Sequence, residues 1–508
     1  MSKVAIASSS GISAAAGEFA VDEGGNAVDA AVAAALVSAI AEPGVCALGA
    51  GAYLSIWPVD DEPITIDANV AVPGLGLPAS RLGRGGEEIF MGYGGGITTI
   101  VGHGSVATPG ALAGCDLATR RYGRLPWKVL LQPAIGWSRK GFPLSNASCN
   151  YLHFAHELVF GRSPQGHAAL HDEDGEVLKP GSPVHVAGLA DSLGLIAEEG
   201  VDVFYRGDLA AAIADDIEAH DGSLTRRDLA EYRPIARPCL RTQLADWQVA
   251  TNPAPAVGGA TLSAMLLLMR GRPQGEWTAA EVAHLAEVQH SVLAYRRGSL
   301  DNVREIGPAI GELIRLAQAG QLDGMTAPST VHVSAVDDTG LACSITMSAG
   351  YGSGVMPPDT GIWLNNCLGE LELNGDGLSA TPPGRRLPSN MAPCVARSSH
   401  GDALAIGSPG ADRITTAIAQ TLVNFITRGD ALEDAIRAPR LHVEHSSGTW
   451  RVACEPGLET GEIALPIRVF DEPSMYFGGV GAALRRQDGD LVAAADPRRT
   501  GGTAIAGR

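Results

Sequence analysis

Charge and aromatic residues are scarce in this 508-residue chain: 18% of positions are charged and 5% aromatic, against 45% hydrophobic and 64 glycines. Few charges with abundant apolar residues exclude an extended, disordered polymer and point to a compact, turn-rich globule with a large core. Positive charge is the scarcer sign. Lys and Arg number 37 against 56 Asp and Glu, a net charge of −19 with no basic block, so nucleic acid and anionic membrane are poor partners. Long hydrophobic runs are missing too; the most apolar stretch, Ala30 to Ile40, has about half the length a membrane span needs. Met1 to Ile12 lacks the basic-then-apolar pattern of a secretory leader, which makes the cytoplasm the expected location.

The eight cysteines are scattered and form no Cys-x-x-Cys pair. They read as reduced structural thiols, and the spacing shows no metal constellation. Gly92-Tyr93-Gly94-Gly95-Gly96 lacks the strand-helix context of a nucleotide loop, so no organic cofactor is implied.

What is present has a clear order. Asn26 has the character of an N-cap, and Ala27 to Ala41 runs as a small-residue helix, apolar around most of its circumference, up to Pro43. A glycine-rich loop follows, then a strand over Ala52 to Trp57. Amphipathic helices include Leu189–Glu199 and Leu209–His220; strand signals dominate from Thr330 to Asn366, and a further helix covers 411–428. No internal repeat or composition break divides the chain, so helical and strand-rich halves are expected to share α/β layers.

The chemistry centres on Thr330. Thr330, His332 and Ser334 alternate with Val331 and Val333, which puts two hydroxyls and an imidazole on one face of a strand. Asp337-Asp338-Thr339-Gly340 is a turn and Leu341 to Met347 the return strand, so a half-exposed β-hairpin accounts equally well for these residues. Three segments add weight. Gly350-Tyr351-Gly352-Ser353-Gly354 lets backbone approach a ligand. Gly407-Ser408-Pro409-Gly410-Ala411 opens a helix and directs N–H groups at whatever precedes it. Arg385 to Met391 is a polar segment after a Pro-Pro-Gly turn.

In this combination and order the chain resembles the gamma-glutamyltranspeptidase family of N-terminal-nucleophile hydrolases. The resemblance rests on Gly24 to Ala31, Tyr122 to Trp127, Phe204 to Gly207, Leu364-Asn365-Asn366, Arg386 to Met391 and Gly407 to Gly410, and spans roughly Ala5 to Glu444. It implies a four-layer αββα sandwich and self-cleavage between Ser329 and Thr330. Residues 1–329 and 330–508 would then be two associated subunits of one intertwined globule. It also implies catalytic roles for Thr330, for the supporting hydroxyl of Ser348, and for the N–H groups of Gly410 and Ala411. A freed α-amine can serve as base to the threonine hydroxyl, while His332 is expected to be structural.

The departures concern the substrate. The family's carboxylate-gripping arginine is replaced by Asn69, and a neutral amide cannot form a forked, charge-assisted pair. Cys367 stands for a polar amide, Glu370 keeps the acid, Ser389 keeps the first serine of a pair and Asn390 replaces the second. These substrate-side changes imply an amidohydrolase or acylase with a small-molecule amide substrate whose acyl group is not gamma-glutamyl, passed to water or an amine. A true gamma-glutamyl enzyme with a rearranged clamp, and an uncleaved, silent ligand-binding homologue, are the alternatives. Homodimerisation of the processed pair stays open.

Overall fold

The computed structural model describes residues 2–93, 96–271, 275, 277–300, 306–320, 331–410, 412–446 and 448–507. Thirteen strands form two stacked antiparallel sheets. In chain order these are β1 Val4–Ser8, β2 Gly51–Trp57, β3 Ile64–Ala68, β4 Ile235–Pro238, β5 Leu240–Leu244, β6 Trp247–Thr251, β7 Val331–Asp337, β8 Ala342–Ser348, β9 Cys394–Ser398, β10 Ala403–Gly407, β11 Gly481–Arg485, β12 Leu491–Ala495 and β13 Gly502–Ala506. The first sheet has the order β13-β1-β7-β8-β2-β3-β4 and the second β12-β11-β10-β9-β6-β5.

Helices cover both outer faces, giving the four-layer αββα sandwich. On the first sheet lie α1 Gly11–Asp22 and α2 Ala27–Ala41; α3 Asp208–Ala219 belongs to the helical region beyond them. On the second lie α4 Val257–Leu268 and α6 Arg413–Leu422, with α5 Ala279–Ser299 packed against α4. Three cores follow from three interlayer spaces. The two outer cores are built of large aliphatics, such as Val32, Leu36, Leu54 and Ile345 on one side and Leu262, Leu266, Ile406 and Ile418 on the other. Between the sheets the core is thin and made of small residues, Ala5, Ala250, Ala342, Ala403, Ala405 and Ala483, with Trp57, Val336, Val395 and Leu491. Small side chains bring the sheets close enough for direct polar links. Ser55 Oγ donates to the Pro393 carbonyl (2.9 Å), Ser344 Oγ to Ile406 (3.1 Å) and Ser334 Oγ to Gly481 (3.2 Å). Each buried hydroxyl is thereby satisfied, as it must be away from water.

The helix at Ala27–Ala41 has the expected bounds, and all fifteen residues are buried. Asn26 caps it in a full capping box with Asp29, whose carboxylate also accepts the Arg124 (2.8 Å) and Leu125 (3.2 Å) N–H groups. Burial raises the Asp29 pKa against those hydrogen bonds.

The β7–β8 pair closes as a hairpin with register His332↔Thr346 and Ser334↔Ser344. It is not half-exposed. Every residue of both strands is buried, because one face meets α2 and the other meets the second sheet. The predicted strand content to Asn366 stops at Ser348; residues 349–393 form turns and short bridges, since glycine and proline remove the regular hydrogen-bonding positions. The helix expected at 411–428 is α-helical over Arg413–Leu422 and continues as a π-turn over Val423–Arg428. Among the described residues, no helix is long and apolar enough to cross a membrane.

Candidate active site

Strand ends from both sheets converge at one edge of the sandwich. Val331 begins β7, Ser348 ends β8 opposite Gly51, Ser8 ends β1, and Gly407 and Gly481 meet at the ends of β10 and β11. Thr330 and Ala411 lie outside the described residues. The other predicted positions can each be placed.

Ser348 is buried and its Oγ accepts the Gly350 N–H at 3.1 Å. Gly350 has φ +64°, and a Cβ there would come within 2.4 Å of Asn366 Oδ1 and 2.8 Å of Glu370 Oε1. Only glycine therefore lets the loop after β8 pass so close to Glu370. Two asparagines hold that arrangement. Asn366 Oδ1 accepts the Tyr351 N–H (2.7 Å) while its Nδ2 donates to Ile100 O (3.1 Å). Asn365 Nδ2 donates to the carbonyls of Gly49 (2.8 Å) and Ala107 (2.9 Å). Three loops distant in sequence are thereby tied together.

Glu370 is buried, and its pKa stands well above the usual carboxylate range, first through burial and then through the neighbouring charge of Glu372. Glu372 is raised to about 7 by burial, opposed by the Tyr351 hydroxyl that donates to it at 2.5 Å. Two adjacent carboxyls withdrawn from water cannot both ionise cheaply, so the pair retains proton at neutral pH. The Cys367 thiol is pushed up by burial and by Glu370, and stays protonated. Glu370 and Cys367 thus meet at one polar but largely uncharged wall.

The other two groups of predicted substrate contacts turn partly away from it. Asn69 is buried, its Nδ2 donating to Leu387 O (2.8 Å), and its N–H bonds Asp67 Oδ1 (3.2 Å). Asp67, fully buried, receives Arg237 at 2.8 Å and Arg386 at 3.3 Å, and Arg386 stacks over Tyr232. Ser389 Oγ accepts the Met391 N–H (3.2 Å), and its carbonyl accepts the Val257 and Gly258 N–H groups at the start of α4. Asn390 is buried beside it. A cavity of about 730 Å³ opens along this segment, lined by Arg237, Asn374, Asp376, Arg385, Arg386 and Pro388. That is room for a small molecule.

The Gly407–Gly410 turn is locked on both sides. Ser408 Oγ donates to Pro409 O (2.6 Å) and accepts the Gly479 N–H (3.0 Å). Gly410 has φ +124°, and a Cβ there would lie 2.7 Å from Gly478 Cα, so both the torsion and the space demand glycine. Just beyond, Asp412 meets Arg413 (2.6 Å) and His442 (3.1 Å). Burial opposes ionisation of Asp412, but Arg413 and His442 outweigh it and hold the carboxyl well below its usual range. Arg413 in turn stacks on Tyr476 at 4.2 Å. This ion pair anchors the start of α6.

His332 is buried with both ring nitrogens engaged. Its Nδ1 pairs with Thr346 Oγ1 (3.0 Å) and its Nε2 with Ser334 Oγ (2.7 Å), and burial lowers its pKa to about 3. Glu42, at the end of α2, is a residue that sequence reasoning missed. It is buried beside a cavity of about 20 Å³, room for one water, which Val331, His332, Pro409 and Arg499 also line. Ser145 Oγ donates to its Oε2 (2.6 Å), while Oε1 has no hydrogen-bond partner among the described residues. Burial raises Glu42 to about 7. Glu372, Asp412 and Arg413 were missed as well. The signal was adjacency: Glu42 precedes the helix-ending Pro43, and Asp412-Arg413 directly follows the glycine turn.

The arrangement combines a buried hydroxyl, a glycine turn opening a helix, and a wall of protonated acid and thiol. The family model described as gamma-glutamyltranspeptidase matches residues 13–506. The chain is 28% identical over 514 residues to the glutathione hydrolase proenzyme of Escherichia coli (strain K12), covering 94% of this chain and 87% of that protein. It is 30% identical over 518 residues to the acylase ACY 1 proenzyme of Pseudomonas sp. (strain SE83), covering 96% and 91%. The crystal structure of cephalosporin acylase from Bacillus halodurans superposes with a TM-score of 0.82 at 24% identity, over 100% of this chain and 96% of that one.

Proposed function

This chain belongs to the gamma-glutamyltranspeptidase family of N-terminal-nucleophile hydrolases, and from that premise we propose that it is a self-processed acylase acting through Thr330 on an amide whose acyl group is not gamma-glutamyl. Family membership makes it an amidohydrolase; the nucleophile and the acyl group are the finer reading.

In this reading the peptide bond between Ser329 and Thr330 is cut, and the two fragments stay associated. Both relatives named above are proenzymes by name, which supports processing here. The shared packing supports association: β7, β8 and β13, from the second fragment, alternate in one sheet with β1 and β2 from the first. The Thr330 hydroxyl then attacks the amide carbonyl while the α-amine accepts its proton. The N–H groups of Gly410 and Ala411 stabilise the tetrahedral oxyanion, a good donor there being worth about 3 kcal/mol. The amine leaves with the proton, and water, activated by the same α-amine, releases the acid. Transfer to an amine uses the same acyl-enzyme. Ser348 supports the Thr330 hydroxyl.

The observation that carries the choice of acyl group is the fate of Asn69. Its amide is committed to Leu387 O and its neighbour Asp67 occupies Arg237 and Arg386. No charged fork stands at that position for an α-carboxylate. Cys367 and the proton-retaining Glu370 favour a neutral polar or apolar group.

Denaturing mass measurement of the purified protein beside Thr330→Ala tests the first step. Fragments of roughly 34 and 18 kDa, the 52.3 kDa chain divided before residue 330, are expected for the native protein only. Rates on gamma-glutamyl-p-nitroanilide and on neutral acyl anilides then test the second. An uncut chain overturns the nucleophile; faster gamma-glutamyl turnover overturns the acyl assignment.

A further inference from the structure

A cluster of chelating side chains lies away from the site described above. His103 sits on a short turn, His103–Ser105, that follows the strand Ile97–Val101. Asp216 lies in the last turns of α3, and His220 caps that helix. The fold brings the three together although 113 residues separate His103 from Asp216. His103 Nε2 is 3.2 Å from Asp216 Oδ2, and His220 Nδ1 is 3.5 Å from Asp216 Oδ1. The two imidazoles stack at 4.1 Å with their planes 14° apart, and the ligand atoms of all three residues lie within 4.8 Å of one another.

We propose that His103, Asp216 and His220 bind a divalent transition-metal ion, zinc being the best match. Two imidazole nitrogens and one carboxylate are a borderline-soft donor set that suits zinc over calcium or magnesium. Ligand atoms about 2.0–2.2 Å from a tetrahedral zinc stand roughly 3.3–3.5 Å apart. The two measured separations, each to a different oxygen of Asp216, lie close to that spacing, and the stacked rings must turn out of their near-parallel arrangement so that both ring planes contain the metal. The facing ring nitrogens point at Asp216, and His220 Nδ1 also lies 2.8 Å from the Asp216 carbonyl oxygen. Binding moves each ring proton to the other nitrogen, and the freed lone pairs take the metal. With three protein ligands and His220 exposed to solvent, water completes the fourth position.

The site would act as a staple. His103 belongs to the hairpin arm that braces the candidate site: Thr99 Oγ1 donates to Gly369 O (2.8 Å), Ile100 O accepts Asn366, and the Gly102 N–H bonds Ser353 O (2.8 Å). Zinc would fasten that arm to α3 and so stiffen the loops holding Glu370 from behind.

Tag-free, chelator-stripped full-length protein is titrated with zinc chloride by calorimetry at pH 7.5, beside His103→Ala, His220→Ala and Asp216→Asn. Saturable 1:1 binding, weakened at least about tenfold in each variant, and a zinc-dependent rise in Tm that the variants lose, is the expected result. His220→Ala removes an exposed ring and keeps the comparison valid should His103→Ala fold poorly. No saturable binding, or binding that survives in both histidine variants, overturns the site.

Discussion

Gly407 lies flat against the imidazole of His332: a Cβ at 407 would stand 2.3 Å from His332 Cε1 and 2.5 Å from Nδ1. The first residue of the glycine turn is thus fixed by the histidine of β7. The ring cannot retreat, because Thr346 and Ser334 hold both of its nitrogens. Gly407→Ala is expected to cost about 2–3 kcal/mol through overpacking. Urea denaturation reads this directly, and an unchanged midpoint would mean the ring swings aside.

His332 also gives stability a pH signature. Its folded pKa of about 3 lies below the ordinary histidine value of 6.5, so the unfolded chain binds the extra proton. Stability from this group is complete above pH 6.5 and falls as the pH drops toward 3, by about 1.4 kcal/mol per unit. Across pH 7 to 5, the unfolding free energy of His332→Gln should fall less steeply than that of the native protein. Parallel curves would place the titration elsewhere.

Glu42 has the opposite sign. Its folded pKa of about 7 exceeds the ordinary value of 4.5, so its contribution is complete below pH 4.5 and is lost as the pH rises through 7. Glu42→Gln keeps the shape and removes the charge. Relative to the native protein it should gain roughly 2–3 kcal/mol between pH 5 and pH 8, visible as a rising Tm difference. A pH-independent difference would show that the carboxyl stays protonated or is solvated.

Ser348 tests the reading of the reaction. Ser348→Ala should lower kcat about ten- to a hundredfold with little change in KM, and Ser348→Thr should restore most of it. A change confined to KM would move Ser348 from the chemistry to substrate binding.

Much of the fold was legible because its signals are local. The unbroken small-residue run Ala27–Ala41 could only be a helix buried on every side, with Asn26 and Asp29 at its head. Alternation over Val331 to Val336 assigned β7 its two faces, though not that both are buried, because burial of the polar face needs a second sheet and that sheet is built from strands at 240–251, 394–407 and 481–495. Motif order gave the family and the positions of Ser348, Gly410 and Glu370. It could not show that the Asn69 amide is committed to Leu387, since the two are 318 residues apart.

The sequence by itself determined the elements, the family and the residue types available for chemistry, because helix and strand periodicity and glycine torsions act over a few residues. Tertiary structure alone decided which of those residues meet. Glu42 faces the head of β7, Glu372 comes beside Glu370 to share proton, and His103 reaches Asp216 across 113 residues. The reason is physical: burial and charge proximity set the protonation and partners of these groups, and both arise only when the two sheets and their outer helices close on one another.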